Sequence, residues 1–326
     1  MTKTSKKLAA LTMAMMLGTA SFANLHFTGI EDNQLQIVVT GLPFEIKHQA
    51  PVVTQILPIP KVQEVLNFAD ERVPIERPSV QDRLNDELKH NFNDRLSTEF
   101  ILKMANRWLP VIEPILAEHG VPNDFKYLCI AESALQNKVS PVGAAGFWQF
   151  MPYTAPEFGL EINKEVDERY NVQKSTEAAA KYLKSAYKRF GSWTAAAASY
   201  NMGQGGLSKQ QRLQGTNDYF SLLLPSETMQ YVYRILSFKL LIGSPETFNI
   251  DVAGLDVFNP LPTRTVAVTK SISNLAEFAK QNGTNFDTLK ELNPWLRDRK
   301  LTVKEGKSYT FALPWQDVSN EQVASL

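Results

Sequence analysis

Between Ser97 and about Phe248, apolar residues recur at three- and four-residue steps almost throughout, a period that suits α-helices and not strands. Ala179, Tyr182, Leu183, Ala186, Tyr187 and Phe190 make one such stripe, and Gly191 stands where a helix C-terminal glycine belongs. Ser192 is placed to cap a helix over Trp193 to Tyr200, which glycines 203, 205 and 206 are expected to end in a flexible loop. Ser226 is expected to cap a further helix through Met229, Val232, Leu236 and Leu240, stopped by Gly243. Upstream, a capped helix begins near Ser79, with Val80, Leu84, Leu88 and Phe92 at steps of four. The pattern predicts a mainly α protein with one helical domain over 79–250.

The ends read differently. The first 23 residues order Lys3, Lys6 and Lys7, an apolar run from Leu8 to Leu17, and small residues to Ala23. That is the order of a secretory signal peptide, and the run is short for a membrane span. Export is therefore expected. From 24 to 78, short β-like runs such as Leu35 to Thr40 and Val52 to Leu57 are broken by prolines 43, 51, 58 and 60, which predicts an extended arm or edge strands. Past Pro262, Thr265 to Thr269 alternates like a strand, Asn274 caps a short helix ended by Gly283, a second helix carries Phe286, Leu289 and Leu292, and Tyr309 to Leu313 closes as a strand. A cysteine-free βααβ unit over 262–316 is small, so its core must be tight or lean on a neighbour.

Composition narrows the chemistry. The 326 residues hold 34 basic and 34 acidic side chains with no basic block, which argues against a nucleic-acid partner. One cysteine, Cys129, and four scattered histidines offer no metal-ligand spacing, so no metal or cofactor is expected.

The sharpest local feature is Glu132 in FKYLCIAESAL, flanked by apolar residues on nearly every helical face. Burial disfavours the ionised carboxylate and raises its pKa, as a general acid near neutral pH requires; a glutamate paired at a helix end fits the same run. In VSPVGAAGFWQFMP, Gly143 and Gly146 free the backbone while Phe147, Trp148, Gln149 and Phe150 gather aromatic and amide surface suited to sugar rings, or to a core turn. SYNMGQGG adds Tyr200 and Asn201 at a helix end.

Glu132-Ser133, Gly146-Phe147-Trp148-Gln149, Ser199-Tyr200-Asn201 and Tyr231 in ETMQYVYRIL, in this order and spacing, resemble the lytic transglycosylase family with the goose-lysozyme-like SLT domain, most closely its membrane-bound transglycosylase D branch. The resemblance runs from about Asn93 to Phe248 and includes VDER at 166–169, whose Asp167 and Arg169 look like a structural ion pair. It implies a lysozyme-like fold and a cleft with Glu132 as catalytic acid and then base. Ser133, Gly146, Trp148, Gln149, Tyr200, Asn201 and Tyr231 would hold the peptidoglycan glycan strand, and the product would be a 1,6-anhydro muramic end. Phe147 and Ser199 stand where Leu and Ala are usual. Arg264 to Pro314 resembles a LysM glycan-binding module, with SISN replacing the usual Gly-Asp and with Trp295 as either an exposed stacking residue or core filling. The implied location is the periplasm or envelope of a Gram-negative bacterium. A non-catalytic wall-binding protein and a hydrolytic muramidase are the alternatives.

Overall fold

The computed structural model describes residues 24–31, 34–40 and 65–315. The expected signal segment and the Val52 to Leu57 run lie outside these residues. The chain divides into a unit at 1–56 and a unit at 57–326. In the first, β1 (Asn24–Glu31) and β2 (Gln34–Thr40) form an antiparallel hairpin with a bulge between Phe27 and Gly29.

The second unit begins with a tight hairpin, β3 (Leu66–Phe68) and β4 (Glu71–Val73), turned through Ala69 and Asp70 at φ 52° and 63°. Here the expected arm ends early. Leu66, Phe68 and Val73 are buried in the helical core, and Phe68 packs edge-on against Phe125 at 5.3 Å. The helical body therefore begins before Ser79, because strands of three residues are too short to declare a face by alternation.

Nine α-helices follow among the described residues. α1 (Pro78–Asn93) buries Val80, Leu84 and Leu88 and starts on Pro78 at its first turn, with no side-chain cap. α2 (Arg95–Glu118) is capped by Asp94, whose carboxylate accepts from the Ser97 N–H at 3.2 Å. α3 (Phe125–Ser133) is short and ends with Ala134 and Leu135 both left-handed, at φ 53° and 57°. α4 (Val172–Phe190) has Asn171 as its cap and Gly191 at its end in the left-handed region, as the sequence indicated. α5 (Trp193–Met202) is capped by Ser192, again as expected, and Glu71 of β4 also accepts from the Thr194 N–H at 2.9 Å. Ala195 to Ala198 are all buried, small side chains that let neighbouring helices approach.

Two local expectations fail. The glycines after Asn201 do not make a loop: Gly203 (φ 81°, ψ 146°) breaks the chain direction and α6 (Gln204–Gln214) starts at once. One glycine suffices for the break, and the next two sit within the new helix. Ser226 does not cap α7 (Ser226–Gly243) but is its first residue, after Pro225, and Gly243 is still helical.

The C-terminal unit has the predicted βααβ order: β5 (Thr263–Val268), α8 (Leu275–Gln281), α9 (Phe286–Leu292) and β6 (Tyr309–Pro314). The strands pair antiparallel, Val266 opposite Phe311. Asn274 caps α8, accepting from the Ala276 N–H at 3.0 Å. Trp295 fills the core: it is 3% exposed, stacks on Tyr309 and meets Phe311 edge-on. It therefore offers no face to a sugar. Among the described residues, no helix is long and apolar enough to cross a membrane.

Candidate active site

Glu132 lies on the last turn of α3, a helix anchored by buried Phe125, Leu128, Cys129 and Ile130. Its own side chain is half-buried. From α7, the buried Tyr231 hydroxyl donates a hydrogen bond to Glu132 Oε1. Burial pushes the Glu132 carboxyl up to about 7, against the Tyr231 hydrogen bond and the charge of Arg234, while the charge of Glu227 adds to the rise. At neutral pH the group is poised to give or take a proton.

Tyr200, at the end of α5, donates to the Trp148 carbonyl at 2.8 Å. Its phenol is held well above the ordinary tyrosine range by burial and then by the Glu132 charge. Tyr182, edge-on to Tyr200 at 5.0 Å, steadies α5 by donating to the Ser199 carbonyl at 2.7 Å. Asn201 donates to Glu227 at 3.3 Å and accepts from the Thr228 hydroxyl at 2.7 Å, joining the end of α5 to the first turn of α7.

The glycine loop is built around Arg169. Its guanidinium binds both oxygens of Asp167 at 3.0 and 2.7 Å and donates to the Gly143 and Phe150 carbonyls at 2.8 and 3.1 Å. The ion pair expected from VDER is thus present and buried. Gly146 (φ 83°) crosses the Arg169 backbone so closely that a Cβ would stand 1.8 Å from the Arg169 carbonyl oxygen. Gln149, left-handed at φ 47°, donates through Nε2 to the Gly146 and Lys138 carbonyls at 2.7 and 3.1 Å. Those bonds fix the amide and leave its carbonyl oxygen without a hydrogen-bond partner among the described residues.

The other motif residues fall elsewhere. Trp148 is fully buried, its indole N–H donating to Thr176 Oγ1 at 2.9 Å. It contributes its backbone carbonyl to Tyr200 and no ring face to a ligand. Ser133 is also buried; its hydroxyl donates to the Cys129 carbonyl at 3.4 Å and accepts from the Gln136 N–H at 3.3 Å. Both support the site from beneath. Sequence reasoning missed Glu227 and Arg234, although they stand four before and three after Tyr231, spacings that share a helix face.

The family model described as Transglycosylase SLT domain matches residues 110–222, which hold Glu132, the glycine loop and Asn201. A second, described as Soluble lytic transglycosylase C-terminal LysM-like domain, matches 264–317. The chain carries an SLT domain and a LysM-like module. Membrane-bound lytic murein transglycosylase D of Escherichia coli (strain K12) is 26% identical over 226 residues, 68% of this chain and 49% of that protein. A putative tributyltin chloride resistance protein of Alteromonas sp. (strain M-1) is 40% identical over 103 residues, 31% of this chain and 50% of that protein. The chain spans about half the length of the curated relatives it matches. The SLT domain is the lysozyme-like helical body, and Tyr231 and Glu227 lie past its matched range, on α7.

The Tyr231 hydrogen bond favours the ionised form of Glu132, so Tyr231→Phe should raise that pKa further, by about one unit. If Glu132 is the acid of a cleavage reaction, the alkaline limb of its pH–activity profile should then move up while turnover falls. An unmoved limb in a pH titration of cleavage would separate Tyr231 from the acid.

Proposed function

We propose that this chain is a lytic transglycosylase that cleaves the β-1,4 bond between N-acetylmuramic acid and N-acetylglucosamine in peptidoglycan. The observation that carries this reading is one half-buried carboxyl, Glu132, held near a pKa of about 7 against a tyrosine hydroxyl. Protonated Glu132 gives its proton to the leaving glycosidic oxygen as the C1–O bond breaks. The acetamido oxygen of the muramic residue stabilises the positive C1. Ionised Glu132 then takes the proton of the C6 hydroxyl as O6 bonds to C1. The acid is regenerated, no water is consumed, and the product is the 1,6-anhydro end.

In this scheme Tyr231 aligns the carboxyl, and Tyr200, Asn201 and the free carbonyl oxygen of Gln149 are the groups offered to the sugar and its acetamido N–H. Gly146, Trp148 and Ser133 hold these groups in place. The LysM-like module supplies a second contact to the glycan, and residues 1–23 direct export to the envelope where that substrate lies.

Glu227 favours one alternative. A second carboxylate close enough to raise the proton affinity of Glu132 is what a hydrolytic muramidase would need to activate water. Against it, Glu227 is exposed and held by Asn201. Mass analysis of muropeptides released from purified sacculi separates the readings. Anhydro products are expected; products heavier by one water would make the protein a muramidase, and no release would make it a binding protein.

A further inference from the structure

The LysM-like module does not complete its own core. Val166, from the SLT side of the chain, is 1% exposed within the module's apolar cluster, with Tyr170 packed on the same cluster. The segment around it meets the module through one antiparallel bridge, Val166 opposite Leu296: the Asp167 N–H donates to the Trp295 carbonyl at 2.8 Å and the Arg297 N–H to the Glu165 carbonyl at 2.7 Å. Side chains extend the seam. The Glu165 carboxylate accepts from the Thr302 N–H at 2.6 Å and pairs with Lys300 at 3.2 Å. Glu161 accepts from Lys307 and from the Tyr309 hydroxyl, and the Arg297 guanidinium lies 4.5 Å from the Tyr170 ring centre.

The other side of this segment is the support of the glycine loop. Asp167, hydrogen-bonded through its backbone to the module, orients Arg169 through its carboxylate, and Arg169 holds Gly143 and Phe150. The carbonyl of Trp148, within that loop, receives the Tyr200 hydroxyl. A run of direct contacts therefore joins Trp295 of the module to Tyr200 beside Glu132. Both members of the ion pair are buried, so a shift of Asp167 would strand the Arg169 charge unless the loop moved with it.

We propose that the LysM-like module is a brace for the catalytic cleft as well as a glycan contact, acting through Asp167 and Arg169 as positioning residues for the loop 143–150. The role of the cleft rests on the lytic reading of Glu132; the mechanical coupling does not. A small module that lacks the usual Gly-Asp at its first helix still has, in this role, a reason to keep its docking face.

The test uses the full chain with Val166→Asp, with Glu165→Ala as a milder second variant should the first fail to fold, and with Glu165→Gln, whose amide oxygen can still accept from Thr302. Rates are taken on saturating sacculi and on a soluble tetrasaccharide of alternating N-acetylglucosamine and N-acetylmuramic acid. Loss of the brace should lower kcat about tenfold on both substrates with a smaller change in KM, since small misplacements of positioning groups cost up to about a hundredfold. Glu165→Gln should recover most of it. Hydrogen exchange at the Ala145 and Gly146 amides, bonded to the Phe150 and Lys138 carbonyls, should quicken in the docking variants. A rise in KM on sacculi alone, with kcat and loop exchange unchanged, overturns the brace and leaves a tether. If the parent protein cleaves neither substrate, the lytic reading fails, and the exchange measurement alone decides the coupling.

Discussion

Under the proposed mechanism, in which one group is both acid and base, Glu132→Gln is expected to reduce release of muropeptides from sacculi by about 10³-fold or more while the protein stays folded. The amide keeps an acceptor for the Tyr231 hydroxyl, but its N–H protons are far too weakly acidic to protonate a leaving oxygen. Stability should move the other way. A carboxyl raised from 4.5 to about 7 binds more protons folded than unfolded across that window. The wild-type protein therefore loses stability as pH rises from 4.5 to 7, by up to about 3 kcal/mol. Glutamine carries no such penalty. The variant should match the parent in urea unfolding near pH 4.5, gain stability across the window and hold the gain above pH 7. Equal gains at pH 4.5 and pH 8 would mean that the site does not shield this carboxyl.

Gly146→Ala should be the most damaging small substitution in the loop. At φ 83° an L-residue is strained, and its Cβ would occupy space 1.8 Å from the Arg169 carbonyl oxygen, which is backbone and cannot swing away. Strain and overlap together suggest a loss of about 3–5 kcal/mol and a fall in Tm of about 10 °C. Gly143→Ala is the control. That glycine has a similar φ of 87° but open space at the Cβ position, so only the conformational cost of about 1–2 kcal/mol should appear. Equal losses in calorimetry would show that the close approach to Arg169 contributes nothing.

The helical body was legible because its signals are local. The stripe on α4, the glycine at 191, the Ser192 cap and the Asn274 cap each depend on residues within one or two turns. The βααβ order followed from the same kind of signal. The β3–β4 hairpin was not legible, since strands of three residues hold barely more than one period of alternation. The glycines after Asn201 misled because a lone turn and a flexible loop have the same composition; the choice depends on whether Leu207 finds a core to enter, and it does.

The motifs at Glu132, Gly146, Tyr200 and Tyr231 carried a family resemblance that implies one shared site, and of these the structure sets the Tyr231 hydroxyl on Glu132. They did not tell which side of each residue faces the cleft. Trp148 and Trp295 are aromatic whether they line a groove or fill a core, and packing put both inside. Glu227 and Arg234 are ordinary helix-surface residues until α7 is laid beside α3, when their charges reach Glu132. Local preference is written in neighbours a few residues apart, so helices, caps and motif identity can be read from one dimension. The contact of Tyr231 with Glu132 and the seam between Val166 and Leu296 join groups 99 and 130 residues apart, and such pairings exist only after burial has chosen among the folds the helices allow.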